Sequence, residues 1–496
     1  MTNTLYDALI APHMGNDAAF LECDDGTTLT YAGFVARVAQ LAHVLYAAGV
    51  GPGDRVVVQA PKLRDTIALY GAALQAGAVY LPLNTAYTRS ELSYFIDDAA
   101  PALVVCDARD ESEMTGILGG STTLLTLAKD GTGTLSTEAD RQPTTFQTVP
   151  RGSDDLAALL YTSGTTGRSK GAMLSHRNLL SNAQALTDLW LITETDRLIH
   201  ALPVFHTHGL FVAMNTTLLA GARVRFMAAF NVDEIVAELP GSTMLMGVPT
   251  FYTRLLEDRR LTRDLVSNMR LFVSGSAPLL AETHAAFEER TGHRILERYG
   301  MTETNMITSN PYDGERIPGT VGYPLPGTEV EVMDNGMPVA AGRTGMIEVR
   351  GPNVFQGYWN MPEKTAEELR DTGFFITGDL GVKSHDGRIS IVGREKDLII
   401  AGGYNIYPKE IEDVINGVEG VLESAVFGVP HPDFGESVLA AIVLEDTSLT
   451  DTAIAAIVEL HLARFKLPRR YIITDALPRN TMGKVQKNVL RADHGA

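Results

Sequence analysis

Across residues 31–274, stretches with apolar residues at helical spacing alternate with short runs rich in branched and aromatic residues. This alternation most narrows the folds open to the chain. Residues 31–50 have helical spacing, Gly51-Pro-Gly-Asp54 is a turn, and 55–60 (RVVVQA) reads as a strand. Residues 66–76 and 91–99 are helical, and 78–83 (AVYLPL) and 103–107 are strand-like. Further strand-like runs at 198–203, 223–230, 244–248 and 271–274 are each followed by a helical pattern. Successive strand–helix units need crossover connections, so the expected class is α/β with largely parallel sheets. Segment 110–150, rich in Thr, Gly and Asp, reads as a loose surface connection. From about residue 317 to 393, Gly and Pro punctuate short strands (VGYPLPGTEVEVM, TGMIEVRGP), which predicts an antiparallel, β-barrel-like subdomain. Beyond it, strand-like runs at 397–401, 424–429 and 438–444 and a helical pattern at 452–465 predict a small α+β domain. The expected division is a large N-terminal body, 1–393, and a C-terminal domain, 394–496.

With 41 Lys+Arg against 60 Asp+Glu, the 496-residue chain carries a formal charge of −19. It lacks the basic field that nucleic acid or an anionic membrane requires, although a few local cations suffice for a nucleotide ligand. Two cysteines, Cys23 and Cys106, exclude a disulfide framework and a Cys-based zinc module, and both read as reduced core thiols. The N-terminus has neither the basic nor the apolar region of a signal peptide, and no 18-residue stretch is continuously apolar. The expectation is a cytoplasmic protein, a monomer or weak homo-oligomer.

The sharpest local signal is Tyr161-Thr-Ser-Gly-Thr-Thr-Gly-Arg-Ser-Lys-Gly171. Its glycines permit positive φ and close backbone approach, Thr162, Ser163, Thr165 and Thr166 supply hydroxyls, and Lys170 supplies a positive charge. Together these suit a phosphate. It is not a Walker loop, because Gly171 follows Lys170 where Ser or Thr would stand, and 172–175 has strand rather than helix character. A glycine-rich surface hairpin is the alternative reading.

This segment resembles the phosphate loop of the adenylate-forming superfamily, which comprises acyl- and aryl-CoA synthetases, luciferases and peptide-synthetase adenylation domains. Four further segments resemble that superfamily's motifs in the same order. They are Tyr299-Gly-Met-Thr-Glu-Thr304, Phe375-Ile-Thr-Gly-Asp379, Gly393-Arg-Glu-Lys-Asp-Leu-Ile-Ile-Ala-Gly-Gly-Tyr-Asn405 and Pro478-Arg-Asn-Thr-Met-Gly-Lys484. The resemblance implies ATP, Mg²⁺ and coenzyme A as ligands. Residues Thr162, Ser163, Gly164, Thr165, Thr166 and Lys170 would wrap the β- and γ-phosphates. Thr302 would bond the α-phosphate, and Glu303 would offer Mg²⁺ a hard oxygen. Asp379 and Arg394 would hold the ribose, and Tyr299 would offer a face to adenine. Glu297, Gly300 and Met301 would complete that side of the nucleotide, with Gly275, Ser276, Ala277 and Pro278 along the other. Lys484 would bridge the substrate carboxylate and the α-phosphate. Lys396 would be the hinge about which the C-terminal domain rotates, withdrawing Lys484 and bringing Gly402, Gly403 and Tyr404 in for thiol attack. Taken singly, each residue has an ordinary reading: Asp379 as a turn residue, Tyr299 as core, Glu303 as a helix N-terminal acid, Lys484 as a solvated cation.

His206 and His208 stand two apart, a weak metal signal without further ligands nearby. By the resemblance, His206 is the better candidate for the side chain gating the acyl pocket. Two arginines depart from the apolar or small pocket residues of most relatives that activate fatty or aromatic acids. Arg254 lies in GVPTFYTR and Arg298 directly precedes Tyr299-Gly300. Each would shrink the pocket and place a cationic fork in it, which suits a second carboxylate. Malonate is the natural short dicarboxylate, with methylmalonate possible. Arg254 is expected to lead, with Arg298 as helper or alternative. Salt bridges to Glu257 or Glu297 are the competing reading. The wider wording (LYTSGTTGRSKGAMLSH, LPVFHTHGLFV, LERYGMTETNM, LPRNTMGKVQKN) resembles that of malonyl-CoA synthetases. The expected activity is ATP-dependent ligation of malonate to coenzyme A through an acyl-adenylate. A ligase for another short acid, a luciferase-like oxygenase and an enzyme loading a carrier protein are the alternatives. The chain's end shortly after Lys484 favours a stand-alone ligase.

Overall fold

The computed structural model describes residues 2–120, 122–162, 169–401, 404–432, 434–480 and 483–495. Among these, the strands form four sheets. A six-stranded sheet runs Thr123–Thr126, Leu103–Cys106, Arg55–Gln59, Val79–Pro82, Leu156–Thr162, Lys170–Ser175; only its last pair is antiparallel. A nine-stranded sheet has a parallel centre: Leu296–Met301, Leu271–Ser274, Met244–Gly247, Arg197–His200, Arg223–Phe226 and Ala19–Cys23 in spatial order. Antiparallel strands close its two edges: Asn305–Ser309 and Tyr323–Pro324 at one, Thr28–Thr30 at the other. The inner strands Leu103–Cys106, Met244–Gly247 and Leu271–Ser274 are runs buried on both faces, as sheets covered by helices require. Because the central strands of the nine-stranded sheet are parallel, their carboxyl ends, at residues 200, 247, 274 and 298–301, share one edge of the sheet.

The expected antiparallel subdomain is a five-stranded sheet in the order Met337–Pro338, Glu329–Asp334, Thr344–Arg350, Phe375–Lys383, Ile389–Arg394. It is an open sheet rather than a closed barrel, and Tyr323–Pro324, expected within it, pairs instead with Asn305–Ser309. The C-terminal sheet is built on the long hairpin Val421–His431 and Gly435–Leu444, with Ile399–Ala401, Tyr404–Ile406 and Arg470–Ile473 added to it. Segment 110–150 is not a loose connection. It contains the helices Glu111–Leu118 and Thr134–Ala139, and the strand Thr123–Thr126 that extends the six-stranded sheet. That edge strand is only partly buried, so it lacks the continuous apolar run by which the inner strands announce themselves.

The helix His176–Leu189 ties the sheets together near the phosphate-loop hairpin. Ser175 caps it, its hydroxyl accepting from the Asn178 backbone N–H while the Asn178 side chain accepts from the Ser175 N–H. The Asn178 amide also donates to the carbonyls of Pro352 (2.8 Å) and Val354 (2.7 Å). One turn on, Asn182 donates to the Met306 carbonyl at 2.8 Å and accepts from the Met306 N–H at 3.2 Å. Asn353 donates to the Thr304 and Met306 carbonyls. These buried amides hold the turn bearing Thr302 and Glu303 against the rest of the body. Asn182→Ala leaves the Met306 N–H buried without its acceptor, a loss of about 1–3 kcal/mol. Thermal melting should show a drop of a few degrees, and an unchanged melting temperature would mean that the clamp does not hold the turn.

Candidate active site

The strands Leu156–Thr162 and Lys170–Ser175 form a hairpin whose register pairs Thr162 with Lys170. Of the residues expected to wrap a phosphate, Ser163, Gly164, Thr165 and Thr166 lie outside the described residues. Where the chain resumes, the Tyr94 hydroxyl donates to the Ser169 carbonyl at 2.8 Å and the Thr162 hydroxyl donates to the Lys170 carbonyl. The Lys170 ammonium crosses to Glu368 and Tyr358, neither of which sequence reasoning had singled out.

The turn between Leu296–Met301 and Asn305–Ser309 presents Thr302 and Glu303. It is tight, since a methyl group on Gly300 would lie 2.0 Å from the Asn305 carbonyl oxygen. Glu303 is buried, with one carboxylate oxygen 3.0 Å from the Tyr358 hydroxyl. Burial pushes its carboxyl pKa up, against the pull of Lys170. One carboxylate in the field of Lys170 fits Mg²⁺, which takes one or two carboxylates and completes its shell from phosphates and water.

Opposite this turn, Asp379 and Arg394 face each other across neighbouring antiparallel strands. Arg394 Nε lies 2.7 Å from Asp379 Oδ1, and the Tyr299 hydroxyl donates to Oδ2 at 2.5 Å. Burial and the adjacent carboxylate push the Tyr299 phenol pKa well up, so it stays a donor. Each Asp379 oxygen retains acceptor capacity, enough for a sugar hydroxyl. Glu297, two residues before Tyr299, is buried. It accepts weakly from the Leu279 N–H (3.4 Å) and has its second oxygen unpartnered among the described residues. Burial raises its pKa to about 7. Gly275 is buried, and Ser276 and Ala277, both half-buried, continue from the neighbouring strand end. Ser276 has φ +71°, a backbone conformation costly for a side-chain-bearing residue and frequent at functional sites.

The structure brings Lys484 to this cleft. Its surface still meets solvent, yet protein encloses it enough to push the ammonium pKa down. Arg394 adds to that shift, while Asp379, Asp397 and Glu303 oppose it. The lysine's backbone N–H is fixed by the Asn480 side chain at 2.9 Å. Lys396, in the turn Glu395–Asp397, has its pKa lowered to about 8 by partial burial, Arg394 and Lys484. Gly402 and Gly403 lie outside the described residues, and Tyr404 is exposed, stacked on Phe465 at 4.6 Å between ring centroids.

A second basic cluster, of one guanidinium and two imidazoles, lies at the strand ends beside Lys484. Arg298 is 3% exposed, and its Nε and Nη2 have no hydrogen-bond partner among the described residues. Burial lowers its pKa to about 9. Neither Glu297 nor Glu257 pairs with it among those residues. Arg298 crosses Gly275 so closely that a methyl there would lie 2.3 Å from its central carbon. His206 and His208 share its surroundings. Burial first, then Arg298, depresses both, with His206 at about 4. His208 Nδ1 lies 3.3 Å from the Ser276 hydroxyl, and Nε2 is unpartnered among the described residues. Arg254, by contrast, is exposed on the helix Pro249–Glu257, with its guanidinium over the Phe230 ring at 5.7 Å. One turn earlier on that helix, Thr250 comes close to Gly483. Of the two arginines, Arg298 is thus the buried one, unpartnered at Nε and Nη2 among the described residues, and Arg254 the exposed one.

Two family models match the chain: "AMP-binding enzyme" over residues 10–359 and "AMP-binding enzyme C-terminal domain" over 410–484. A feruloyl-CoA synthase of Amycolatopsis sp is 36% identical over 477 residues, 95% of each chain. A malonate–CoA ligase of Arabidopsis thaliana is 34% identical, covering 88% of this chain and 78% of its own. Among solved structures, ATP-bound MatB from Rhodopseudomonas palustris is 53% identical with a TM-score of 0.98, covering 100% of this chain and 99% of that one. The apo form of the same protein gives 0.87.

A buried cation without a counter-ion opposes folding. Arg298→Met should therefore stabilise the ligand-free protein by about 1–3 kcal/mol, read at pH 7 as a melting temperature raised by a few degrees. A fall would mean that the guanidinium is compensated after all.

Proposed function

This chain belongs to the AMP-binding enzyme family and is an AMP-forming acyl-CoA ligase, and we propose that the acid it activates is malonate. The observation that carries this reading is Arg298, a buried guanidinium whose Nε and Nη2 have no partner among the described residues, beside Lys484 and His206. A monocarboxylate would leave that fork unpaired. A three-carbon dicarboxylate can present one carboxylate to the reacting centre and the other to Arg298. The 53% identity to a MatB structure and the likeness to a malonate–CoA ligase support the reading. A feruloyl-CoA synthase (36%) and a long-chain-fatty-acid–CoA ligase (32%) are as similar to the chain as that malonate–CoA ligase (34%), so the pocket carries the choice.

In this reading, one carboxylate oxygen of the acid attacks the α-phosphorus of ATP. That forms the acyl-phosphate bond of the adenylate and breaks the bond to pyrophosphate. Lys170 and the loop beside it would receive the departing phosphates. Asp379, with Arg394 behind it, would accept from the ribose hydroxyls. Tyr299 and Glu297 would face the adenine, where a protonated or ionised Glu297 can meet a base edge. Mg²⁺ held through Glu303 would neutralise phosphate charge. Lys484 would lie between the acid and the α-phosphate, offsetting charge that grows at phosphorus. Coenzyme A would then attack the acyl carbon through its sulfur, releasing AMP. Rotation about Lys396 would take Lys484 out of the cleft for that step.

The two half-reactions should separate. Lys484→Ala should lower malonate-dependent pyrophosphate release by about 100- to 1,000-fold, while thioester formation from presynthesised malonyl-adenylate changes little. Lys396→Pro should do the opposite by stiffening the turn. Equal slowing of both steps by both variants would remove the case for rotation.

Substrate choice provides the direct test. A panel of malonate, methylmalonate, acetate, butyrate and ferulate should show malonate used far better than the monocarboxylates. Arg298→Ala should cost malonate about 2–5 kcal/mol, or roughly 30- to 4,000-fold in kcat/KM, with little effect on acetate or on the KM for ATP. Arg254→Ala should have a smaller effect in the same direction. An unchanged malonate-to-acetate ratio in both variants would end the malonate assignment and leave the ligase assignment standing.

A further inference from the structure

Lys170 is already paired within the protein. Its ammonium donates to both oxygens of Glu368, at 3.0 and 3.1 Å, and to the Tyr358 hydroxyl at 3.1 Å. An ammonium has three donors, so these contacts use all of them. Glu368 ends the helix Pro362–Glu368, far in sequence from the phosphate-loop hairpin. The ion pair is neither fully wet nor sealed, with side chains 19% and 22% exposed. Glu368 has other partners as well. The Tyr358 hydroxyl donates to it at 2.6 Å, and Lys364, one turn earlier, lies 3.1 Å away. Through that same Tyr358 hydroxyl, 3.0 Å from Glu303, the pair reaches the carboxylate suited to Mg²⁺. A phosphate arriving at Lys170 therefore meets a cation that already holds an anion.

We propose that Glu368 is a positioning residue that stands in for the polyphosphate: it holds Lys170 while the site is empty and yields it to the β- and γ-phosphates when ATP enters. This inference rests on reading the cleft as an ATP site. The exchange swaps one ion pair of Lys170 for another, and no covalent bond changes. Glu368 is not stranded by it, because Lys364 and Tyr358 remain, so the cost of an uncompensated carboxylate is avoided. In reverse, Glu368 recaptures Lys170 as pyrophosphate leaves, which eases release of that product. AMP has no β- or γ-phosphate and does not compete for Lys170.

Calorimetric titration of the full-length protein with ATP, pyrophosphate and AMP, without Mg²⁺ and without acid, reads binding alone. Glu368→Gln should bind ATP and pyrophosphate about two- to ten-fold more tightly than the unaltered protein, with AMP affinity unchanged. In a Lys170→Met background the same substitution should leave the ATP-to-AMP ratio where it was, because the competition has no object. Equal shifts for ATP and AMP, weaker ATP binding, or a shift that persists without Lys170 would each overturn the proposal. If Glu368→Gln does not fold, Glu368→Asp retracts the carboxylate by one methylene, and the same comparison should shift in the same direction. Failure of the unaltered protein to bind either nucleotide would instead overturn the reading of the cleft.

Discussion

The contact of Arg394 and Tyr299 with the two oxygens of Asp379 joins the antiparallel sheet to the parallel one. Asp379 and Arg394 come from the antiparallel sheet, and Tyr299 comes from the parallel sheet beyond it. Lys484 arrives from the C-terminal domain into the field of the same group. Both carboxylate oxygens are held, one by a guanidinium and one by a phenol. Two further cations, Lys396 and Lys484, gather close to Arg394. The cleft is thus an arrangement of charges that compensate one another at one end and, at Arg298, do not.

That asymmetry divides the site into two kinds of chemistry. Around Asp379, Glu303 and Lys170, Arg394 is paired with Asp379 and Lys170 with Glu368. Around Arg298, two imidazoles and a guanidinium share a pocket with no carboxylate among the described residues. The protein tolerates the imbalance because Gly275 lets the guanidinium lie against the backbone and because the neighbouring imidazoles remain neutral.

Much of this could be read from sequence. The alternation of periods gave the parallel sheets, because a strand buried on both faces must be apolar throughout, and it fails where burial is one-sided, as at Thr123–Thr126. Asp379, Arg394, Tyr299, Glu303 and Lys484 meet in the structure because their motifs carry unusual residue types at fixed places. Glu368 and Tyr358 stayed hidden. An acid in a run of charged helix residues looks like any solvated face until the fold shows which lysine stands opposite. The order of the two arginines was equally hidden. Exposure depends on whether a side chain sits at a strand end or on a helix rim, and the local wording of residues 254 and 298 does not encode that.

The neutrality of the buried imidazoles also bears on acid. His176 and His206 are held to a pKa of about 4 and His200 to about 3, in each case chiefly by burial. His200 is fixed further, its Nδ1 facing the Lys62 ammonium at 2.9 Å and its Nε2 facing the Gly209 carbonyl at 2.8 Å. Released into the unfolded chain, each would take up a proton near pH 6.5. The folded state binds fewer protons than the unfolded one between that pH and the depressed values, so acidification draws the equilibrium toward unfolding over that interval. At neutral pH these rings therefore carry no charge into the interior. The molecule thus trades tolerance of acid for buried imidazoles that add no cation beside Arg298.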